Sequence, residues 1–304
     1  MDTSTWTYGA EHEWGDWAYN EPLPLGYERD RNDFTIMSSN GVANDPKGLT
    51  YEYGGEINTP PTRLPEGQGA CVEELIRHWR SLRLPAPTVN HRSNLHIHVR
   101  VPGLRDDLDA LKRVQKFIHE VMPSLLPIIQ PLRTPGRFDF PGEEEWKGAK
   151  RRWRRRRVSH QTLLTPSRLA KQLGATSLEE FFSSEVPSRG RDGAPQYHLQ
   201  PRLCVNLRQL RETDTIEFRH FAGTLSSAQV ELAARYCGVF LECALEDDRH
   251  SLFAGAQDIA EELPKFPEYN HKLELRYRAT CHDGTLSRKQ IEGNIDRILS
   301  GEFD

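Results

Sequence analysis

The sequence predicts an α+β fold in which helices pack against an antiparallel sheet. Segments with alternating apolar and polar residues are typical of strands with one solvated face, and the clearest are residues 6–14, 88–101 and 213–221. Apolar residues at helical spacing predict long helices at residues 66–83, 106–122 and 226–245. The chain has no internal repeat and no convincing linker, so we expect residues 1–304 to form a single domain.

The N-terminal strands are separated by a long loop. The first strand is predicted at residues 6–14, and a loop rich in proline, asparagine, aspartate and glycine is predicted at residues 19–48. A second strand, residues 49–59, stops at Pro60 and Pro61, because proline cannot donate to a strand ladder.

The next two helices each have a distinct sequence signal. The helix at residues 66–83 has one apolar face, formed by Cys71, Val72, Leu75, Ile76 and Trp79. After the strand at residues 88–101, the helix at residues 106–122 begins with three aspartates, which suit the positive end of the helix dipole.

The middle of the chain is predicted to be an irregular basic insertion, about residues 130–200. It contains many prolines and glycines, an acidic run at residues 143–145 and a basic run at residues 150–157. A short helix is expected at residues 177–183, because Ser177 precedes Glu180 by the spacing of a helix N-cap.

Regular secondary structure is predicted again after residue 200. The strands at residues 203–207 and 213–221 are close enough to form a hairpin. Ser226 and Gln229 mark the start of the longest helix, which runs to about Leu245. Two C-terminal helices are expected, near residues 254–263 and 287–299.

Composition limits the class of protein. A chain of 304 residues can bury a sizeable core, although its mean hydropathy of −0.68 is low for an enzyme. The net charge of −4 does not indicate general nucleic-acid binding. The five cysteines form no CxxC pair, which favours a reducing compartment. No apolar run has the length of a membrane span and no signal pattern is present, so we expect a cytoplasmic, soluble protein.

A pair of glutamates lies in the first predicted strand. Glu11 and Glu13 are two residues apart, so their carboxylates leave one face while His12 leaves the other. Adjacent like charges repel, which costs free energy unless a cation bridges them. A solvated edge strand is the alternative, because the pattern is common.

Two histidines repeat this spacing in the third predicted strand. His96 and His98 leave one face, and the apolar residues leave the other: Leu95, Ile97 and Val99. Histidines at i and i+2 of a strand are a common metal-ligand spacing. Polar residues on the solvated face of a half-buried sheet would give the same pattern.

Two further acidic positions complete the set. Glu56 lies in a run of small and apolar residues, but Glu52 would face the same way, so strand period does not separate them. Glu217 and Arg219 also share a face. Glu217 could hold Mg²⁺ while Arg219 binds a phosphate or carboxylate with two hydrogen bonds. A plain ion pair is the alternative.

The most conspicuous charge feature is the basic run. Seven of the eight residues 150–157 are basic and the eighth is Trp153. Such density needs an anionic partner, such as nucleic acid, a phosphorylated substrate or the phosphates of ATP, or else free solvation in a loop. Residues 150–157 are therefore expected to contact an anionic ligand or to form a solvated loop.

Together the motifs resemble those of the amidoligase family, a branch of the carboxylate–amine ligases related to glutamine synthetase and γ-glutamylcysteine synthetase. The family pattern is a small residue before E-x-E, then E-x-x-S-P-P, L-H-x-H, and E-F-R before G-T and a long helix. The matching segments are residues 9–13, 56–61, 95–98, 217–219 and 223–224. Order and spacing agree from about residue 6 to 245, and the match favours Glu56 over Glu52. His12 replaces an apolar residue and Thr59 replaces serine.

The resemblance implies a glutamine-synthetase-like catalytic domain, with a curved antiparallel sheet and helices on its convex face. The concave face would bind ATP and two or three Mg²⁺ ions, with Mn²⁺ as an alternative. The γ-phosphate would pass to a substrate carboxylate, and an amine would attack the acyl phosphate to give an amide, ADP and phosphate. The partners would be a small-molecule or peptide carboxylate and an amine.

The resemblance also implies residue roles. Glu11, His96 and Glu217 would hold one metal ion beside the transferring phosphate. Glu13 and Glu56 would hold another ion nearer the substrate. His98 and Arg219 would contact the phosphate oxygens. Glu56 and Arg219 would be the catalytic residues.

Two rival functions use the same residues differently. A divalent-metal hydrolase would activate water and turn over without ATP. A non-catalytic nucleic-acid-binding protein on this fold would use residues 147–157, and its affinity would depend steeply on salt but not on Glu217. The intact ligand set favours the ligase over the second rival.

Overall fold

The computed structural model describes residues 3–15, 22–30, 54–83, 94–129, 163–164, 166–183, 203–249 and 251–252. Helices and antiparallel strands both occur in these ranges, which confirms the α+β class. The predictions for Glu52, for the runs at residues 143–145 and 150–157, and for the helices near residues 254–263 and 287–299 fall outside the described residues. The single-domain assignment stays a prediction.

The described strands form one six-stranded sheet in the order β2-β3-β1-β4-β6-β5, and each neighbouring pair is antiparallel. Their bounds are β1 Thr7–Gly15, β2 Glu28–Asp30, β3 Gly54–Asn58, β4 Asn94–Arg100, β5 Val205–Asn206 and β6 Ile216–Ala222. The described helices are α1 Pro65–Ser81, α2 Leu108–Ile129, α3 Pro166–Gly174, α4 Leu178–Ser183, α5 Gln209–Glu212 and α6 Ser227–Glu246. No helix in this part of the chain is long and apolar enough to cross a membrane.

Local sequence signals place most of these elements. Ser226 caps α6 by accepting a hydrogen bond from the Gln229 backbone N–H at 3.4 Å, as the spacing predicts. Ser177 accepts the Glu180 N–H at 3.2 Å ahead of α4. The predicted hairpin is present, but β5 is only two residues long and α5 lies in the connection.

Three further elements differ from the sequence prediction. The short strand β2 lies inside the predicted loop. The sequence does not predict it, because three residues are too few to show an alternation of apolar and polar side chains. Helix α2 runs on to Ile129, past Pro123, because its apolar stripe continues through the buried Leu125. Helix α3 lies within the insertion that was predicted to be irregular apart from one short helix.

One face of the sheet packs on helices. Strand β1 buries Tyr8, Ala10, His12 and Trp14 on this face. The ring of Trp14 packs edge-on against that of Trp79 of α1, with ring centroids 5.6 Å apart. The ring centroids of Phe218 of β6 and Phe240 of α6 are 5.5 Å apart. Because successive strand residues alternate, this burial directs the residues between them to the opposite face.

A bulge in β6 modifies the alternation. Leu95 pairs with Phe221 and Ile97 pairs with Phe218, so β6 has one more residue than β4 between these pairs. Both phenylalanines therefore lie on the helix-packed side, even though they are three residues apart. The bulge lies between Phe218 and Phe221. Arg219 still leaves the face that carries Glu217, because its guanidinium contacts the Glu217 carboxylate.

His12 is an unusual member of the helix-packed face. It is fully buried, its ring lies 4.6 Å from that of Trp14, and neither ring nitrogen has a hydrogen-bond partner among the described residues. Burial, aided by the nearby His96, lowers the pKa of His12 to about 3. The imidazole therefore occupies an apolar position and stays neutral.

Replacing His12 with phenylalanine should stabilise the protein. The change removes an unsatisfied buried polar group, worth about 1–3 kcal/mol, and retains a ring against Trp14. Because the His12 pKa is depressed on folding, the unfolded chain binds the proton more readily, and His12 costs stability as pH falls from about 6.5 towards 3. Urea unfolding at pH 7 and pH 5 should show a larger gain at pH 5. Equal gains at both pH values would contradict this reading.

Candidate metal centre on the sheet

A band of acidic and histidine residues crosses four strands on the face opposite α1 and α6. Strand register sets Glu13 opposite Glu56, Glu11 opposite His96, and His98 opposite Glu217. The sequence places these side chains on common faces, and the antiparallel register brings the faces together. All six predicted acidic and histidine residues therefore belong to one band.

His96 lies among three of the carboxylates. Its Nδ1 is 2.8 Å from Glu11 Oε2 and 3.5 Å from Glu217 Oε1, and its Nε2 is 3.7 Å from Glu13 Oε1. Its side chain is 2% exposed, and those of Glu13 and Glu217 are each 1% exposed. Three carboxylates around one buried imidazole make this region a buried polar centre rather than part of the hydrophobic core.

Glu11 and His98 form a second close pair. His98 Nε2 is 2.8 Å from Glu11 Oε1, and His98 Nδ1 is 2.9 Å from Thr215 Oγ1. Burial opposes ionisation of Glu11, but hydrogen bonds from His96 and His98 outweigh it and hold the Glu11 pKa well below its usual value. Burial also opposes protonation of His98, but the bond to Glu11 and its charge raise the His98 pKa.

Three donor atoms are close enough to bind one cation. One ligand atom each from Glu11, His98 and Glu217 lies within 4.8 Å of the others. In an octahedral Mg²⁺ site with bonds of about 2.1 Å, ligand atoms are about 3 to 4.2 Å apart. Carboxylate oxygens with one imidazole fit Mg²⁺ or Mn²⁺ in chemistry, and the 4.8 Å limit is slightly wider than this octahedral range. His96 also contacts both glutamates, so the division of roles between the two histidines stays a prediction.

Arg219 closes one side of this cluster. Its Nη1 forms a close ion pair with Glu217 Oε1, and its side chain is 17% exposed. A guanidinium retains several donors when one is engaged, so Arg219 can also bind a second anion. The predicted position of Arg219 beside Glu217 is therefore found, and its contact with phosphate stays a prediction.

Glu56 lies towards the other end of the band. It is 9% exposed, and Asn58 Nδ2 is 3.4 Å from its Oε1. Its register partner is Glu13, and like charges on opposed strand positions are destabilising. A cation between these two carboxylates would offset that repulsion.

Thr59 anchors the segment after Glu56 to the first strand. Its hydroxyl accepts the Ala10 N–H at 2.9 Å and donates to Gln68 Oε1 at 2.6 Å. Gln68 is fully buried and donates in turn to the Tyr8 carbonyl at 2.7 Å. A serine hydroxyl could make the same bonds, so the hydroxyl group is what this position requires.

Three polar residues of the site were missed from the sequence. Asn94 donates to Glu13, Asn206 donates to Glu217, and Thr215 contacts His98. Asn94 is two residues before His96, so strand alternation could have identified it. Asn206 becomes visible only once β5 is paired with β6, where it lies directly opposite Glu217.

No protein-family model, curated protein or solved structure matches this chain in the three comparisons with known proteins.

Proposed function

We propose that the protein is an ATP- and Mg²⁺-dependent ligase that joins a substrate carboxylate to an amine through an acyl phosphate, on a glutamine-synthetase-like fold. The observation that supports this most is the cluster of Glu11, His98 and Glu217 within 4.8 Å, beside the Arg219 guanidinium. Cation ligands next to an arginine are what transfer of a phosphoryl group between anionic partners requires.

The chain's own residues would divide the work by charge. Glu11 and Glu217, with a histidine, would hold the cation, which when bound neutralises phosphate oxygens. Arg219 is partly exposed beside them and would bind a phosphate or carboxylate with two parallel hydrogen bonds. Glu13 and Glu56 would hold a second cation nearer the substrate carboxylate.

The proposed reaction has two steps. A carboxylate oxygen of the substrate attacks the γ-phosphorus of ATP, and the bond to ADP breaks. The amine nitrogen then attacks the acyl carbon, phosphate leaves and the nitrogen loses a proton. Phosphorylation is needed because a carboxylate has no good leaving group, and the first step is slow without cations because both partners are anionic.

A metal-dependent hydrolase would use the same three donors with water as nucleophile. It differs from the ligase in needing neither ATP nor an amine. The nucleic-acid-binding alternative depends on residues 147–157, which lie outside the described ranges.

ADP release with Mg²⁺-ATP across pools of amino acids, peptides, polyamines and nucleotides tests the proposal. We expect ADP release to require both a divalent cation and a carboxylate from one pool. Hydroxylamine, a small general amine, should trap the acyl phosphate as a hydroxamate. Hydrolysis of a pool member at equal rates with and without ATP would instead support the hydrolase.

A further inference from the structure

Two buried glutamates of the band each have one oxygen held by an asparagine. Glu217 Oε2 accepts a hydrogen bond from Asn206 Nδ2 at 2.8 Å. Glu13 Oε2 accepts one from Asn94 Nδ2. Both glutamate side chains are 1% exposed, so water does not compete freely for these oxygens. The same arrangement therefore occurs twice, on different strands.

The amide of Asn206 has a fixed orientation. Its Oδ1 accepts the backbone N–H of Arg208 at 3.0 Å, and a backbone N–H can only donate. The Nδ2 group is therefore the one directed at Glu217. This local turn holds a hydrogen-bond donor against one oxygen of the carboxylate before any ligand binds.

The second oxygen of each glutamate is directed at the centre of the band. Glu217 Oε1 contacts Arg219 and is 3.5 Å from His96 Nδ1. Glu13 Oε1 is 3.7 Å from His96 Nε2. Each carboxylate thus has one oxygen that accepts a hydrogen bond from an asparagine amide and one oxygen that is directed towards the other proposed cation ligands.

We propose that Asn94 and Asn206 are positioning residues that make Glu13 and Glu217 single-oxygen ligands and thereby favour Mg²⁺ and Mn²⁺ over Ca²⁺. The inference rests on the proposed metal site. Mg²⁺ needs near-octahedral geometry with single oxygens, whereas Ca²⁺ takes six to eight oxygens and often binds both oxygens of a carboxylate. A hydrogen bond from an asparagine amide to Oε2 obstructs the binding of both carboxylate oxygens to one cation.

Calorimetric titration of the full chain with Mn²⁺ and separately with Ca²⁺ tests this inference. In Asn206→Ser, the hydroxyl can still accept the Arg208 N–H but is too short to reach Glu217. We expect Mn²⁺ affinity to fall about tenfold, in the range seen for residues that orient metal ligands, while Ca²⁺ affinity is unchanged or higher. The Mn²⁺-to-Ca²⁺ affinity ratio should fall accordingly.

Two further variants complete the design. Asn94→Ala should lower the same ratio through Glu13, and it tests the inference if Asn206→Ser fails to give native circular dichroism. Gln209→Ser, on α5 and outside the band, should leave both affinities unchanged. An equal loss of both affinities, or no change in either, would overturn the inference alone. A wild-type protein that binds neither cation would overturn the proposed function as well.

Discussion

Replacing Glu217 with glutamine should reduce Mg²⁺-ATP binding and turnover by on the order of 100-fold while the fold stays intact. Glutamine has nearly the shape of glutamate but lacks the negative charge that a divalent cation needs. Glu217 is 1% exposed and contacts both His96 and Arg219, so its charge lies inside the cluster. Glu11→Gln should act in the same direction, because Glu11 bonds to both histidines.

Calorimetry with Mg²⁺-ATP measures this effect, and circular dichroism with thermal unfolding checks the fold. Glu231→Gln on α6 is a matched control, since that residue makes only an exposed ion pair with Arg235 among its described contacts. We expect the control to bind as the wild type does. Undiminished binding in both Glu11→Gln and Glu217→Gln would refute the assignment of the metal centre.

The second large effect is expected from Arg219→Lys. Lysine keeps the positive charge but loses the planar group that makes two parallel hydrogen bonds, so turnover should fall at least about tenfold. The ion pair with Glu217 can persist in this variant, which separates loss of charge from loss of geometry. Lysine therefore tests the shape of the guanidinium rather than its charge.

Steady-state kinetics of the lysine variant should show the loss mainly in kcat if Arg219 acts on the transferring phosphate. Arg235→Lys, in exposed ion pairs with Glu231 of α6 and Glu66 of α1, is the matched control and should be neutral. Wild-type rates in Arg219→Lys would mean that Arg219 serves only as a structural partner of Glu217.

Strand alternation explains why much of the band could be predicted. A strand repeats every two residues, so Glu11 with Glu13, and His96 with His98, had to share faces once their segments were identified as strands. The residues between them are buried on the helix-packed side, as His12 and Ile97 show. The face of the sheet on which a side chain lies depends only on its position along its own strand, so it can be predicted from the sequence.

Register and long-range pairing are not local information. The position of Asn206 opposite Glu217 follows from the pairing of β5 with β6, and β5 has only two residues. The bulge that sets both Phe218 and Phe221 on the helix-packed side likewise depends on how β6 pairs with β4. Both features arise from tertiary packing, which overrides a strict two-residue period.

The band has a consequence for how the protein folds. Its members come from β3, β1, β4 and β6, and the bond between His96 and Glu11 alone spans 85 residues of chain. Contacts of such sequence separation carry a loop-closure entropy cost, so we expect the band to form only when its strands pair. Apart from the neighbouring Glu11 and Glu13, the carboxylates are dispersed in the unfolded chain and are brought close to one another only as the strands pair. A cation that binds the finished band would stabilise the native state selectively and counter the repulsion that accompanies its assembly.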